Sequence, residues 1–125
     1  MDAGTRQLVC ERAGDSCEYC QLPQSQSPLA RLPFEHVIPR KHGGSDVLEN
    51  LALACIDCNL HKGLNLSGID PQTGLVVRLF SPRRDKWLEH FTWDGILITG
   101  TSDVGRTTIV VLDVNSEDRS MVRLS

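Results

Sequence analysis

Six residues of this chain have types and a spacing that suit chemistry. Two Cys-x-x-Cys pairs flank a Glu-His dipeptide, in the order Cys17, Cys20, Glu35, His36, Cys55 and Cys58. Four thiolates in two close pairs are the ligand set of a structural zinc ion. A carboxylate beside an imidazole suits metal-assisted hydrolysis, because the carboxylate binds a divalent cation while the imidazole takes a proton from water. The pattern therefore predicts a zinc clamp that encloses a reactive site.

The spacing of the cysteines favours a metal site over other uses of thiols. Paired cysteines in a reducing compartment bind metal more often than they form disulfides. Residues 21–54 separate the two pairs, which is more than a simple zinc ribbon contains, so a strand and a loop must lie inside the clamp. A redox pair or unconnected core cysteines are the alternatives, although no βαβ pattern surrounds either pair. The fifth cysteine, Cys10, is expected to be a small core residue.

His36 is a weak signal when it is taken alone. A single histidine in a strand is commonly a hydrogen-bonded structural residue. The adjacent Glu35 changes this interpretation, because neighbouring residues of a strand point to opposite faces and a carboxylate there can bind a divalent cation. A metal-bound phosphate would then lie beside an imidazole that can activate water. The pair together favours a catalytic role for His36.

Turn signals and apolar patterns predict an α+β chain that positions these residues. The first half is expected to contain, in order, a helix over 5–13, a strand over 34–38, a loop over 40–50, a strand over 51–54 and a helix over 57–62. The second half is expected to contain a turn over 68–74, a strand over 75–80, a helix over 83–91 and a strand over 96–99. Residues 107–114 are ambiguous, because their β-branched run favours a strand while Ser102-Asp103 and Asn115 suit a capped helix.

Size and charge set the limits of function. The chain has 125 residues and 40% hydrophobic content, which suits one small domain. Its net charge of -3 argues mildly against a nucleic-acid partner, but residues 28–90 are the least acidic part. A positive groove would have to be local, or the surface is simply one of mixed charge. The candidate cations for such a groove are Arg40, Lys41, Lys62, Arg83, Arg84 and Lys86.

Neither a membrane span nor a secretion signal is expected. No apolar run approaches the roughly 20 residues needed to cross a bilayer, and the N-terminus lacks the basic and apolar blocks of a signal peptide. These features predict a soluble protein of the cytoplasm.

Several ordered motifs resemble one family. They are Cys17-Glu18-Tyr19-Cys20, Glu35-His36-Val37-Ile38-Pro39, Gly43-Gly44-Ser45-Asp46, Leu48-Glu49-Asn50-Leu51 and Cys58-Asn59-Leu60-His61-Lys62-Gly63. Over residues 12–63 the chain closely resembles the HNH endonuclease family with its ββα-metal motif. The later part resembles, more weakly, the downstream region of bacterial HNH proteins of similar size. The resemblance implies a ββα core clamped by zinc over 1–66 and a C-terminal α/β extension over 67–125.

The resemblance also implies roles for individual residues. His36 would be the general base, and Asn50 would hold the long loop and help to orient that base. Glu35 and Asn59 would bind a catalytic Mg²⁺ or Mn²⁺, since a neutral amide oxygen favours a hard ion. Many members have histidine at the last motif position, where this chain has Asn59. His61 is therefore kept as a substitute ligand or a phosphate contact.

The implied activity is hydrolysis of nucleic-acid phosphodiester bonds. DNA is the expected partner, with RNA the less favoured one, and Arg40, Lys41 and Lys62 are the expected contacts to it. Lys62 has an equally weighted alternative, which is to cap the C-terminus of its helix. A zinc-stabilised nucleic-acid-binding module without turnover is the main rival. A redox or zinc-storage protein that uses only the thiols is a second one.

Overall fold

The computed structural model describes residues 1–124 and confirms the predicted α+β class. Its helices are α1 (Ala3–Arg12), α2 (Ile56–Lys62), α3 (Trp87–His90), α4 (Asp103–Leu112) and α5 (Glu117–Val122). Its strands are β1 (Phe34–His36), β2 (Leu51–Leu53), β3 (Ser67–Ile69), β4 (Val76–Arg78), β5 (Phe91–Asp94) and β6 (Leu97–Gly100). The strands pair in sequence order into three antiparallel hairpins. In residues 1–124 no helix combines the length and the apolar character that crossing a membrane requires.

The predicted strand, loop, strand, helix order is present at the centre of the first half. Strand β1 pairs with β2 so that Phe34 lies opposite Leu53 and His36 lies opposite Leu51. Every residue of β2 is buried, which explains its continuous apolar sequence. Helix α2 follows directly and ends at Gly63, which adopts a positive φ of 50°. Both strands are shorter than predicted, because the backbone pairing between them covers only residues 34–36 and 51–53.

The helix predicted over 83–91 is wrong in extent. Only Trp87–His90 forms a helix, and Phe91 instead begins β5, where it pairs with Gly100. The preceding residues form turns because Asp85 accepts hydrogen bonds from the backbone N–H of Ser81 and from the guanidinium of Arg78. Local side-chain contacts with the backbone compete with helix formation in this way.

The ambiguous segment 107–114 lies mostly in helix α4. Ser102 caps the helix by accepting a hydrogen bond from the N–H of Gly105, so the capping signal outweighs the β-branched run. Gly105 is required there, because a Cβ would clash with the carbonyl of His90. Thr108 is buried and its Oγ1 accepts from the N–H of Phe80, which attaches the helix to the end of β4. Helix α5 was not predicted from the sequence.

The second half of the chain packs directly on the first. Trp87 donates its indole N–H to the carbonyl of Tyr19 over 2.8 Å, and Arg83 forms an ion pair with Glu18. The ring of Phe80 lies edge-on to Tyr19 with centroids 6.2 Å apart. These residues place the segment after residue 66 against the first cysteine pair.

Candidate metal centre and active site

Four cysteine side chains converge on one point, as the sequence predicts. The residues are Cys17, Cys20, Cys55 and Cys58, all buried, and their Sγ atoms lie within 4.8 Å of one another. The Sγ atoms of Cys20 and Cys55 are 3.6 Å apart. Two sulfurs bound to a tetrahedral zinc at about 2.3 Å lie about 3.8 Å apart, so the spacing fits. The cluster therefore has the donor type, number and spacing to hold a zinc ion.

In each cysteine pair, one backbone N–H group points at a sulfur atom. The N–H of Cys20 points to the Sγ of Cys17 at 3.4 Å, and the N–H of Cys58 points to the Sγ of Cys55 at 3.3 Å. The second contact also makes Cys55 the N-cap of α2. Burial raises the pKa of the Cys17 thiol, and hydrogen bonds with Cys20 and Cys55 raise it further. A bound cation would favour the thiolate form of Cys17 against this cost of burial.

His36 lies in a shallow surface depression that α2 borders through Asn59. The depression is lined by residues that include Glu35, His36, Arg40, Lys41 and Asn59. About a quarter of the His36 side chain, 26%, is exposed to solvent. The imidazole and the amide of Asn59 thus border the same space, which is open to a substrate.

Asp46 fixes the orientation of the His36 ring. Its Oδ1 lies 2.5 Å from Nε2 of His36, and Arg40 donates to both carboxylate oxygens. Hydrogen bonds from His36, and then from Arg40, lower the pKa of Asp46 and keep it charged. Because a carboxylate only accepts, Nε2 carries a proton, and in the neutral imidazole the lone pair would then lie on Nδ1. Within residues 1–124, Nδ1 of His36 has no hydrogen-bond partner.

Asn50 joins the two ends of the loop that carries Asp46. The Oδ1 of Asn50 accepts from the N–H of Ile38 at 2.8 Å, and its Nδ2 donates to the carbonyls of Ile38 and Ser45 at 3.0 and 2.9 Å. Gly44 is required in this closed loop, because a Cβ would clash with the Ile38 carbonyl. The buried amide therefore holds the loop against the end of β1.

Glu35 and Lys62 form a buried ion pair beneath the depression. The Nζ of Lys62 lies 2.5 Å from Oε1 of Glu35, with the side chains 2% and 4% exposed, and Tyr19 donates its hydroxyl to Oε2 over 2.7 Å. Lys62 also donates to the carbonyl of Val37 at 3.0 Å. Burial raises the pKa of Glu35. The charge of Lys62 and the hydrogen bonds from Lys62 and Tyr19 act in the opposite direction but do not cancel this effect.

The burial of Lys62 is at odds with its expected contact to nucleic acid. An ammonium group enclosed by Glu35 and backbone carbonyls does not reach a phosphate at the surface. Arg40 and Lys41, by contrast, are exposed at the edge of the depression. Lys41 has no hydrogen-bond or ion-pair partner within the described part of the chain, whereas Arg40 is paired with Asp46. Of the three cations predicted to meet nucleic acid, two are thus accessible.

His61 lies away from His36. Its Nδ1 bonds to the carbonyl of Asp57 at 2.8 Å, and its Nε2 is 3.9 Å from the carboxylate of Asp113. It lines a separate cavity next to Cys55 and Arg119. Asn59 and His61 therefore face different sides of α2, and only Asn59 is near the predicted base.

Three residues at these sites were missed by sequence reasoning. Asp46 belongs to the Gly-Gly-Ser-Asp motif, but nothing in the motif indicates that it meets a histidine ten residues earlier. Tyr19 lies inside the first cysteine pair and reaches Glu35. Arg119 reaches the sulfur of Cys58 from the unpredicted helix α5. Each contact joins distant segments, so pattern and spacing alone carry no signal for it.

One comparison with known proteins gives a match. The family model described as HNH endonuclease matches residues 17–64, the segment that holds both cysteine pairs, His36 and Asn59. Comparison with curated proteins and with solved structures gave no significant match. The matched segment coincides with the zinc-type cluster and the ββα hairpin described above. Residues 17–64 of this chain are therefore similar to the HNH endonuclease family.

Proposed function

We propose that this protein is a metal-dependent endonuclease that hydrolyses DNA phosphodiester bonds with His36 as the general base. The observation that carries the proposal is the contact between Asp46 and His36 at the open depression beside Asn59. HNH proteins are typically nucleases, and the match covers every residue of this arrangement. The chemistry would be activation of water followed by attack on phosphorus.

The contacts around His36 suit proton abstraction. Asp46 accepts from Nε2, which leaves Nδ1 free to accept a proton from water. Asn50 acts indirectly on the base, because it holds the loop that carries Asp46. The base is thus positioned by a carboxylate that is itself held by Arg40 and by a closed loop.

The residues near His36 also fit a hard divalent cation. Asn59 offers an amide oxygen, and Glu35 offers a carboxylate whose Oε1 is paired with Lys62 and would have to exchange that partner for the cation. Glu35 and Asn59 would hold Mg²⁺ or Mn²⁺, which would neutralise charge on the phosphate and the leaving oxygen. Because Lys62 already compensates the charge of Glu35, we expect this cation to bind weakly without substrate.

Substrate contacts would come from the edge of the depression. Lys41 and Arg40 are the accessible cations there, and they suit phosphate contacts rather than the reading of bases. So small a surface supplies little sequence specificity. We therefore expect cleavage that depends weakly on sequence.

Nicking of supercoiled plasmid tests the proposal. The zinc-loaded protein is incubated with plasmid and Mg²⁺ or Mn²⁺, with chelator in a parallel reaction and structured RNA as a second substrate. We expect nicking of DNA that His36→Ala lowers by about 10² or more, the contribution of a positioned general base. The matched control is His42→Ala, since His42 lies in the same loop but bonds to the carbonyl of Leu64.

Two results would contradict the assignment. Equal nicking by the wild type and by His36→Ala would exclude His36 as the base. Absence of nicking with either cation, together with a retained gel shift of DNA, would identify a binding module without turnover.

A further inference from the structure

Helix α5 directs one arginine at the cysteine cluster. The Nη2 of Arg119 lies 2.9 Å from the Sγ of Cys58 and 3.6 Å from the Sγ of Cys55. These two cysteines come from the second pair, 61 or more residues earlier in the chain. A guanidinium in contact with two sulfurs of one cluster is a charged partner that the sequence did not indicate.

The position of Arg119 is fixed from its other side. Its Nη1 donates to the carbonyls of Leu112 and Asp113 at 2.5 and 3.1 Å. These carbonyls end helix α4, where the backbone has no further helical partners. Ser116 caps α5 by accepting from the N–H of Arg119. The guanidinium is therefore held in place before any ion enters the cluster.

The electrostatics of a four-thiolate site call for such a group. Four thiolates around one Zn²⁺ carry a net charge of -2, and all four cysteines here are buried. Excess charge in a buried site is costly unless it is compensated and hydrogen-bonded. Partners that donate to metal ligands typically change metal affinity by 10- to 100-fold when they are removed.

We propose that Arg119 is a positioning residue of the four-cysteine metal site, and that it makes retention of the metal depend on the C-terminal helix α5. Its guanidinium donates hydrogen bonds to the sulfurs of Cys55 and Cys58 and offsets their charge. The C-terminal segment thus helps to hold the metal although it lies outside residues 17–64. This role is independent of DNA cleavage.

Arg123, the C-cap residue of α5, provides a matched control. It donates to the carbonyls of Ile96 and Val114 and to Oδ1 of Asn115, and so anchors α5 without a hydrogen bond to sulfur. If Arg119 only tied α5 to α4, the substitutions Arg119→Met and Arg123→Met would have similar effects. A direct effect on the sulfurs predicts a difference between them.

The test is the rate of zinc transfer from the full-length loaded protein to a chromogenic chelator. We expect Arg119→Met to lose zinc at least about tenfold faster than the wild type, and Arg123→Met to stay within about threefold. Equal rates for Arg119→Met and the wild type, or equal acceleration in both variants, would overturn the proposal.

Cobalt substitution supplies a second readout, which also serves if Arg119→Met does not fold. Arg119→Lys keeps the positive charge but loses the planar pair of donors. We expect its Co²⁺ form to show a shifted sulfur-to-metal charge-transfer band and zinc loss faster than in the wild type. A spectrum and a zinc-loss rate identical to those of the wild type would show that the hydrogen bonds to sulfur are without effect.

Discussion

Helix α2 serves two sites that are built in different ways. Its N-terminal turn brings Cys55 and Cys58 to the cysteine cluster, where every donor is buried and supplied by the chain. Asn59, the next residue along the helix, borders the depression of His36, which is open to solvent. The first site is complete within the protein, while under the proposed function the second would take a cation and a substrate. We expect the first to determine stability and the second to determine turnover.

Removal of the metal is expected to have the largest effect. Structural zinc contributes an apparent free energy of about 10 to 16 kcal/mol in small domains, which exceeds the stability of most of them. The protein treated with a strong chelator should therefore unfold, as measured by circular dichroism. A folded and active preparation that elemental analysis shows to be free of zinc would mean that the cysteine cluster does not determine stability through a bound metal.

The fifth cysteine gives the matched control for this prediction. Cys10 is free and lies outside the cluster, on α1. Cys10→Ser should bind one zinc per chain, whereas Cys58→Ser should bind less and unfold more easily. Equal zinc content in both variants would count against the four-cysteine site.

The next largest effect is expected on stability, from the Glu35–Lys62 ion pair beneath the depression of His36. Lys62→Met leaves Glu35 buried without its counter-charge and should lower the free energy of unfolding by about 3 kcal/mol, at the low end for a broken buried pair. Denaturant unfolding of the zinc-loaded variant measures this loss. The double variant Glu35→Gln with Lys62→Met should recover much of it. A single variant as stable as the wild type would show that this pair contributes nothing to the fold.

A smaller effect is expected at Asp46. Asp46→Ala should lower the rate of nicking about tenfold, part of the 10² to 10⁴ that a positioned base supplies, with DNA affinity and melting temperature unchanged. The control is Asp113→Ala, whose carboxylate lies near His61 on the other side of α2. Single-turnover nicking and a binding titration separate rate from affinity. An unchanged rate would mean that the ring of His36 needs no orienting carboxylate.

The smallest effect is expected at the edge of the depression. Lys41→Ala removes one accessible cation and should weaken DNA binding a few-fold, with the salt dependence of log K reduced by about one. Fluorescence anisotropy over a range of salt concentrations measures both. Arg6→Ala, an exposed change on α1, should leave the slope unaltered. The same slope for Lys41→Ala and the wild type would place DNA elsewhere on the surface.

Much of the first half could be predicted from its sequence because its signals are local. The cysteine spacing predicted a cluster that the structure contains, and the order of strand, loop, strand and helix is present. The second half was harder. Phe91 begins a strand and not the end of a helix, because its pairing with Gly100 outweighs the helical pattern of the preceding residues.

The roles of charged residues were the least predictable from sequence. Lys62 belongs to the motif that runs from Cys58 to Gly63 and carries a charge, which suits a phosphate contact, yet it is buried against Glu35. His61 lies two residues from Asn59 and faces a different side of α2. Whether a charged side chain meets solvent or a buried partner depends on the elements that pack over it, and no short motif specifies those elements.

The sequence by itself determined the donors and their order: two cysteine pairs, a Glu-His dipeptide between them, and asparagines at two later motif positions. These follow from residue type and short spacing, which local backbone geometry turns directly into structure. The tertiary structure alone decided the partners, namely Asp46 for His36, Lys62 for Glu35 and Arg119 for Cys58. These contacts join segments 10 to 61 residues apart, and they arise only when the loop closes and the C-terminal helices pack on α2.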